Sequence, residues 1–309
     1  MSETPKSGHV AVEEAVKRCY STWGESYYRD YYGPDAAYPP VHLPMIASVV
    51  DEAAPARLLD AGCGPASMLR HLVRPERQVY GFDLTPEMVT EAQRVMVELG
   101  VPREHVWQGS VLERKEFDCP GEAPAPYDAA ICVGVFPHLQ AADETQVLRN
   151  LHDCLRPGGI AVVEARNELF SLFTLNRYSH QLFLERLVPV QTLKQHAGAE
   201  ATGLEAALRQ LESMFRTDLP PVRKGKQDEP GYDEVVSRLH NPLVLGRQFS
   251  QAGFVQVRTL FYHFHCLPPM VSGEVSTLFR EQSLAMESDP EDWRGYFMAS
   301  AFVVVATRA

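Results

Sequence analysis

The 309-residue sequence has no C-x-x-C pair, no internal repeat and no apolar run approaching 18 residues. Its longest basic stretch is the broken "RKGK" at 223–226. Each absence removes a class of protein. Six scattered cysteines (Cys19, Cys63, Cys119, Cys132, Cys154, Cys266) offer neither a zinc frame nor a disulfide frame, and fit buried reduced thiols in a cytoplasmic protein. Without a long apolar run there is no candidate membrane span, and the opening "MSETPKSGHVAVEE" has no apolar core of a secretion signal. A net charge of −11 without clustered cations argues against a nucleic-acid partner.

What is present is ordinary globular composition, 45% hydrophobic and 22% charged. Between Arg57 and Arg166 short β-like runs alternate with helical patterns, which marks a parallel sheet with crossover helices. Strands are expected at Arg57–Ala61, Gln78–Leu84, Val106–Gln108, Asp128–Gly134 and Ile160–Ala165. The helices between them are expected near Ala66–Val73, Pro86–Leu99 (capped by Thr85) and Asp143–Cys154. "RPGG" at 156–159 is expected to end the third helix. Residues 167–241 lose this rhythm and read as helices, such as "LEAALRQLESMF", followed by the loop "DLPPVRKGKQDEPG". That segment is too long for a connection and too apolar for a disordered linker, so an inserted helical lid is expected. A helix near 242–252, strands at 255–266 and 297–306, and a helix near 273–287 complete the pattern. The organisation is therefore a helical cap over 1–50 (with one or two helices in 12–32), a core over 51–166, the lid over 167–241, and the rest of the core over 242–309.

The stretch "RLLDAGCGPASMLRHL" (57–72) is strand, glycine turn, helix. A dinucleotide turn is G-x-G-x-x-G/A, but here Ser67 fills the third position and Pro65 removes an N–H from any phosphate cradle. Asp60, just before the glycines, would repel a pyrophosphate and attract an ammonium or sulfonium. Alternatively, its carboxylate bonds N–H groups of its own loop. Asp83, ending "VYGFD", can accept both hydroxyls of a ribose in any adenosine.

With "LLDAGCGPA", "VYGFDLTPEMV", "GSVLE", "YDAAICVGVFPHL" and "LRPGGIAVVEA" in order, the chain resembles class I S-adenosylmethionine-dependent methyltransferases. The resemblance implies an α/β fold: a Rossmann-like seven-stranded sheet of order 3-2-1-4-5-7-6, its seventh strand antiparallel, with helices on both faces. It implies S-adenosylmethionine as cofactor, S-adenosylhomocysteine as product, and a small-molecule acceptor of a bacterial natural-product or surface-sugar pathway. It makes Asp60, Gly62 and Gly64 the wall against the methionine part, Asp83 the ribose ligand and Leu84 an adenine contact, with Gly134 beneath the sulfonium. Ser110 stands where relatives often carry an Asp that bonds the adenine amine, and the Val111 N–H is a second contact to the ring. Ala66 stands where a third glycine is frequent. Tyr20, Trp23 and Tyr27 match an aromatic N-terminal helix that closes over the cofactor, or else form a packing stripe with Tyr31. These helices could cap their own pocket or a neighbour's, so a homodimer is one arrangement.

His138, just after the fourth strand, is the candidate general base for O-methylation, and packing of its loop is the plainer role. N- or C-methylation, or cofactor binding without catalysis, are the other functional readings. His263 and His265, two apart on one strand, are expected on one face, as pocket residues or as buried bonded histidines. No carboxylate cluster beside them indicates a metal. Arg166, Asn167 and Tyr178, where the fifth strand leads into the insertion, are candidate acceptor contacts, while Arg177 reads equally as surface.

Overall fold

The computed structural model describes residues 8–21, 24–33, 39–218, 235 and 237–309. Three helices come first: α1 (Gly8–Ser21), α2 (Gly24–Tyr32) and α3 (His42–Ala53). The alternating section follows as β1 (Arg57–Ala61), β2 (Gln78–Asp83), α4 (Pro86–Glu98), β3 (Val106–Gln108), β4 (Tyr127–Cys132), α5 (Glu144–Cys154) and β5 (Leu155–Arg166). Then come α6 (Ser171–Thr174), α7 (Arg177–Gln181), α8 (Val190–His196) and α9 (Ala201–Glu212). The chain closes with α10 (Pro242–Gln251), β6 (Phe254–Phe264), α11 (Ser276–Met286), α12 (Gly295–Met298) and β7 (Ala299–Arg308). The loop expected at 218–231 lies almost wholly outside the described residues.

The strands form one mixed sheet of order β3-β2-β1-β4-β5-β7-β6, as expected. The pairs β1–β2, β1–β4, β2–β3 and β4–β5 are parallel. Their apolar runs are buried along almost their whole length, as a sheet covered on both faces requires. β7 runs against its neighbours. His265 N–H bonds Met298 O, and Thr307 reaches Gln256, so one partner number falls as the other rises. On the other side Asn167 N–H bonds Ser300 O, whereas the Arg308 guanidinium donates to Leu155 O. α4 buries Met88, Val89, Ala92, Val95 and Met96 at helical spacing.

Three local expectations are corrected, and one helix was missed. No helix fills 66–73: Ala66 has φ +59°, outside helical space, and Pro75 ends the segment, leaving turns and a single 3-10 turn at Leu69–His71. The Thr85 side chain makes no cap bond; its N–H instead donates to Asp83 Oδ1 at 2.9 Å. β5 begins at Leu155 and runs through Pro157, Gly158 and Gly159, with a register irregularity opposite Tyr127 to Ala129. α3 went unread, although Ile46, Val49 and Val50 are its buried face.

Two compact units make up the chain: one of 1–166, 223–260 and 302–309, the other of 167–222 and 261–301. The sequence placed an insertion at 167–241; compactness instead groups 167–222 with 261–301. In the first unit a buried knot joins distant segments. Glu144, at the start of α5, accepts from the Arg238 guanidinium, pairs with His240 Nε2 at 3.1 Å and accepts from Gln248 at 3.2 Å. In the second unit the buried Asn167 amide donates to the carbonyls of Gly295, Tyr296 and Ala299 at 2.8–3.1 Å. Among the described residues no helix is long and apolar enough to cross a membrane.

Candidate active site

The site belongs to the first unit and is built from the carboxyl ends of β1 to β4, the edge where open α/β sheets bind ligands. After β1 the chain must turn sharply. Gly62 and Cys63 both donate N–H to Phe82 O, at 2.8 and 2.9 Å, so the turn hangs from the end of β2. Gly62 has φ +87°, and a Cβ there would stand 2.3 Å from Val135 Cγ2. Only glycine fits. Gly64, at φ +52°, also lines the cavity, and a Cβ there would meet no atom within 4 Å.

A cavity opens beyond this turn, and its lining is acidic. Glu13, Asp60, Asp83 and Asp143 line it, and no Lys or Arg does so among the described residues. Asp60 is 1% exposed, and its Oδ1 has no hydrogen-bond partner among the described residues. Burial, and then the neighbouring Asp83, push its carboxyl well above the usual carboxylate range. Burial raises Asp83 too, partly offset by N–H bonds from Thr85 and from Gly64, the latter at 2.9 Å to Oδ2. Of the turn's N–H groups, Gly64's serves Asp83 while those of Gly62 and Cys63 serve Phe82 O, and among the described residues none bonds Asp60. An orphaned acid beside a second acid calls for a cationic, donor-rich partner and opposes a pyrophosphate. Ser67 Oγ, in the same lining, is likewise buried without a partner among the described residues.

At the β4 end, Gly134 has φ +76° and donates its N–H to the buried Glu164 at 2.8 Å. The Tyr27 hydroxyl stands 4.0 Å from where a Cβ of Gly134 would sit. His138 lies one residue beyond Pro137 in a single 3-10 turn, 8% exposed, and its Nε2 is 2.9 Å from the Tyr20 hydroxyl of α1. The turn is braced from behind, because Arg238 N–H donates to Pro137 O at 2.8 Å while its guanidinium reaches Leu139 O and Glu144. At the β3 end, Ser110 Oγ donates to Glu13 Oε1 of α1 at 2.5 Å and accepts from Leu112 N–H at 3.1 Å. The buried Asn150 fixes the Val111 carbonyl at 2.9 Å.

Tyr20, Tyr27, Asp60, Gly62, Gly64, Asp83, Leu84, Ser110, Val111, Gly134 and His138 therefore come together around one cavity. Trp23 lies outside the described residues. Tyr20 and Tyr27 do not share one continuous helix, since α1 ends at Ser21 and α2 begins at Gly24, but their rings approach to 5.9 Å. The remaining candidates are not in this lining. Arg166 donates to Ser237, and the Asn167 amide is spent on three backbone carbonyls. Tyr178 follows Asn176, whose side chain caps α7. His263 and His265 do not form an alternating pair. His263 has φ +56°, which breaks the pleat, and β6 stops at Phe264. His265 bonds the His263 carbonyl at 2.9 Å and packs on Phe170, and burial lowers its imidazole. Glu13, Tyr32, Ser67 and Asp143 were missed. Only Ser67, inside the glycine motif, carried a local signal.

Comparison with known proteins agrees with this geometry. Residues 59–161 match the family model of a methyltransferase domain. A ubiquinone biosynthesis O-methyltransferase of Xanthomonas euvesicatoria pv. vesicatoria (strain 85-10) is 30% identical over 159 residues, covering 52% of this chain and 62% of that protein. One from Xylella fastidiosa (strain M23) is 30% identical over 166 residues, 53% of this chain and 63% of that one. The chain thus spans about three fifths of the length of these relatives. The magnesium protoporphyrin IX methyltransferase of Synechocystis PCC 6803, solved with bound SAH, superposes with a TM-score of 0.52 at 14% identity, over 96% of this chain and 99% of that one. That likeness concerns the fold. Residues 59–161 are thus similar to a methyltransferase domain, and the chain has the Rossmann-like sheet of the methyltransferase fold.

Proposed function

We propose that this protein transfers the methyl group of S-adenosylmethionine to a hydroxyl of a small molecule. The observation that carries the reading is the acidic cavity, lined by no Lys or Arg among the described residues, that runs past Asp83 and Asp60 to Gly134 and His138. When bound, the cofactor supplies a methyl group on a positively charged sulfur with a good leaving group. Asp60 faces its cationic methionine part, with Ser67 Oγ as a further polar contact. Asp83 accepts from the ribose hydroxyls. Gly134 and Gly64 leave room for close approach, and Tyr27 covers Gly134.

In-line displacement needs alignment and a path for the acceptor's proton, and no covalent nucleophile. His138 provides the path. An acceptor hydroxyl would take the place of Tyr20 at Nε2 and pass its proton to the imidazole as its oxygen displaces the sulfur from the methyl carbon, and Tyr20 would hydrogen-bond the same oxygen. The named role of the relatives as O-methyltransferases supports oxygen over nitrogen or carbon. They are named for ubiquinone biosynthesis, so they give the expected natural-product or surface-sugar pathway no support. The net charge of −11 favours a small acceptor over nucleic acid.

Titration calorimetry with S-adenosylmethionine, followed by a product-mass screen of hydroxylated small molecules with methyl-labelled cofactor, tests the reading. Binding followed by label on oxygen is expected. No binding at millimolar cofactor refutes the whole proposal, and binding without transfer to any acceptor leaves a cofactor-binding protein. In His138→Gln, cofactor affinity is expected to hold while turnover falls roughly 10²- to 10⁴-fold. Unchanged turnover removes His138 as base.

A further inference from the structure

The sheet order fixes the direction in which an adenosine must lie. Across the binding edge β4, β1, β2 and β3 are successive neighbours, and they present Gly134 and His138, then Asp60, then Asp83, then Ser110. With Asp83 on the ribose, the base must lie at the β3 end, away from His138. Leu84, Met88, Ser110 and Val111 line the cavity from the ends of β2 and β3, and Glu13 of α1 joins them at Ser110.

Among the described residues no cation pairs with Glu13. One oxygen, Oε1, accepts from Ser110 Oγ at 2.5 Å, and Ser110 Oγ is itself oriented by Leu112 N–H. Among the described residues no bond reaches the other oxygen, Oε2. A carboxylate accepts hydrogen bonds and cannot donate them. In adenine the exocyclic 6-amine is the donor once the ribose occupies N9, whereas a 6-oxo purine presents an acceptor at the same place. A carboxylate facing a second acceptor leaves both without a partner, and such mismatches discriminate strongly.

Resting on the cofactor reading above, we infer that Glu13 is the specificity residue for the adenine base. It is delivered by the N-terminal helix and anchored by Ser110, and it accepts from the 6-amine through Oε2. The same helix carries Tyr20 seven residues later, two turns and about 10.5 Å along, where it bonds His138. Adenine binding therefore pins at one end the helix that completes the reactive site at the other.

Calorimetry on the full chain, with S-adenosylhomocysteine and its 6-deamino analogue S-inosylhomocysteine, tests the inference. The unmodified protein is expected to bind the adenosyl compound at least about tenfold more tightly, the scale of one hydrogen bond to a charged group. In Glu13→Gln the amide can turn its NH₂ toward a 6-oxo group, and the ratio is expected to fall below about threefold. Glu13→Ala should lower the ratio too, with thermal melts confirming that both variants fold. A ratio unchanged in both variants overturns the role of Glu13 while leaving the cofactor reading intact. Failure of the unmodified protein to bind S-adenosylhomocysteine overturns the cofactor reading instead.

Discussion

Replacing Asp60 by Asn should make the protein more stable and less able to bind its cofactor. The carboxylate is buried, its Oδ1 has no partner among the described residues, and Asp83 stands nearby with the same charge. Leaving a buried charged group unsatisfied costs about 1–3 kcal/mol or more, so Asp60→Asn should gain about that much at neutral pH. On the function proposed above, the same substitution removes a charged partner of the methionine end. A hydrogen bond to a charged group is worth about 1.5–3 kcal/mol, which corresponds to a loss of roughly 10- to 150-fold in affinity.

The pH dependence has a definite sign. Asp60 has a folded value raised above the ordinary 3.8. The unfolded chain therefore gives up this proton first, and the unmodified protein loses stability as pH rises from about 3.8 to the raised value. The advantage of the Asn variant should be absent in strong acid, grow through that window and stay constant above it. Urea denaturation across pH, with calorimetry on S-adenosylmethionine, reads both effects. If Asp60→Asn instead destabilises by 1 kcal/mol or more, the carboxylate holds its own loop and the argument for a cation-seeking wall fails.

Two further outcomes follow from the surrounding frame. Gly62→Ala places a methyl 2.3 Å from Val135 Cγ2 at φ +87°. The left-handed backbone costs about 1–2 kcal/mol and overpacking about 1–3 kcal/mol, so denaturant titration should show a loss of about 2–5 kcal/mol, partly restored by Val135→Ala; a loss under about 1 kcal/mol would show that the turn relaxes freely. Burial alone would raise Glu144, but the bonds from His240 and Arg238 outweigh it and hold the carboxyl below its ordinary 4.5. Glu144→Gln should cost about 3 kcal/mol, the low end for a broken buried pair because Arg238 is 31% exposed. Glu144's contribution is complete above 4.5 and lost as pH falls through the lowered value, so melting temperatures of the two proteins should converge in acid; parallel curves would contradict this.

The strands of the core were legible because each is a short apolar run closed by a turn residue, and burial on both faces leaves that pattern little choice. The cavity-lining positions at strand ends were legible for the same reason, since Asp60, Asp83 and Gly134 are fixed by where β1, β2 and β4 stop. Contacts between remote segments were not. Nothing local in "VEEAVKRCY" says that Glu13 meets Ser110 or that Tyr20 meets His138 118 residues away. Ala66 shows the limit within a motif. As a helix former it suggested a helix at 66–73, yet it holds φ +59°, the conformation its usual glycine would take without strain. The expected histidine pair failed similarly, because one positive φ at His263 cancels the alternation on which a same-face argument depends.

The place of β7 has a consequence for how the chain is made. It follows β6 in sequence but lies between β5 and β6 in the sheet. As the polypeptide leaves the ribosome, β6 emerges with no partner to pair with, and one edge of β5 stays open until β7 arrives. Completing the sheet is therefore an insertion of the later strand between two earlier ones, spanning contacts as distant as Leu155 with Arg308. Such long-range closure is slow, and for its duration two unpaired strand edges are exposed to neighbouring chains. The step at which this protein is most open to aggregation or chaperone capture lies in that interval, after the cavity-bearing edge of β1 to β4 has already been synthesised.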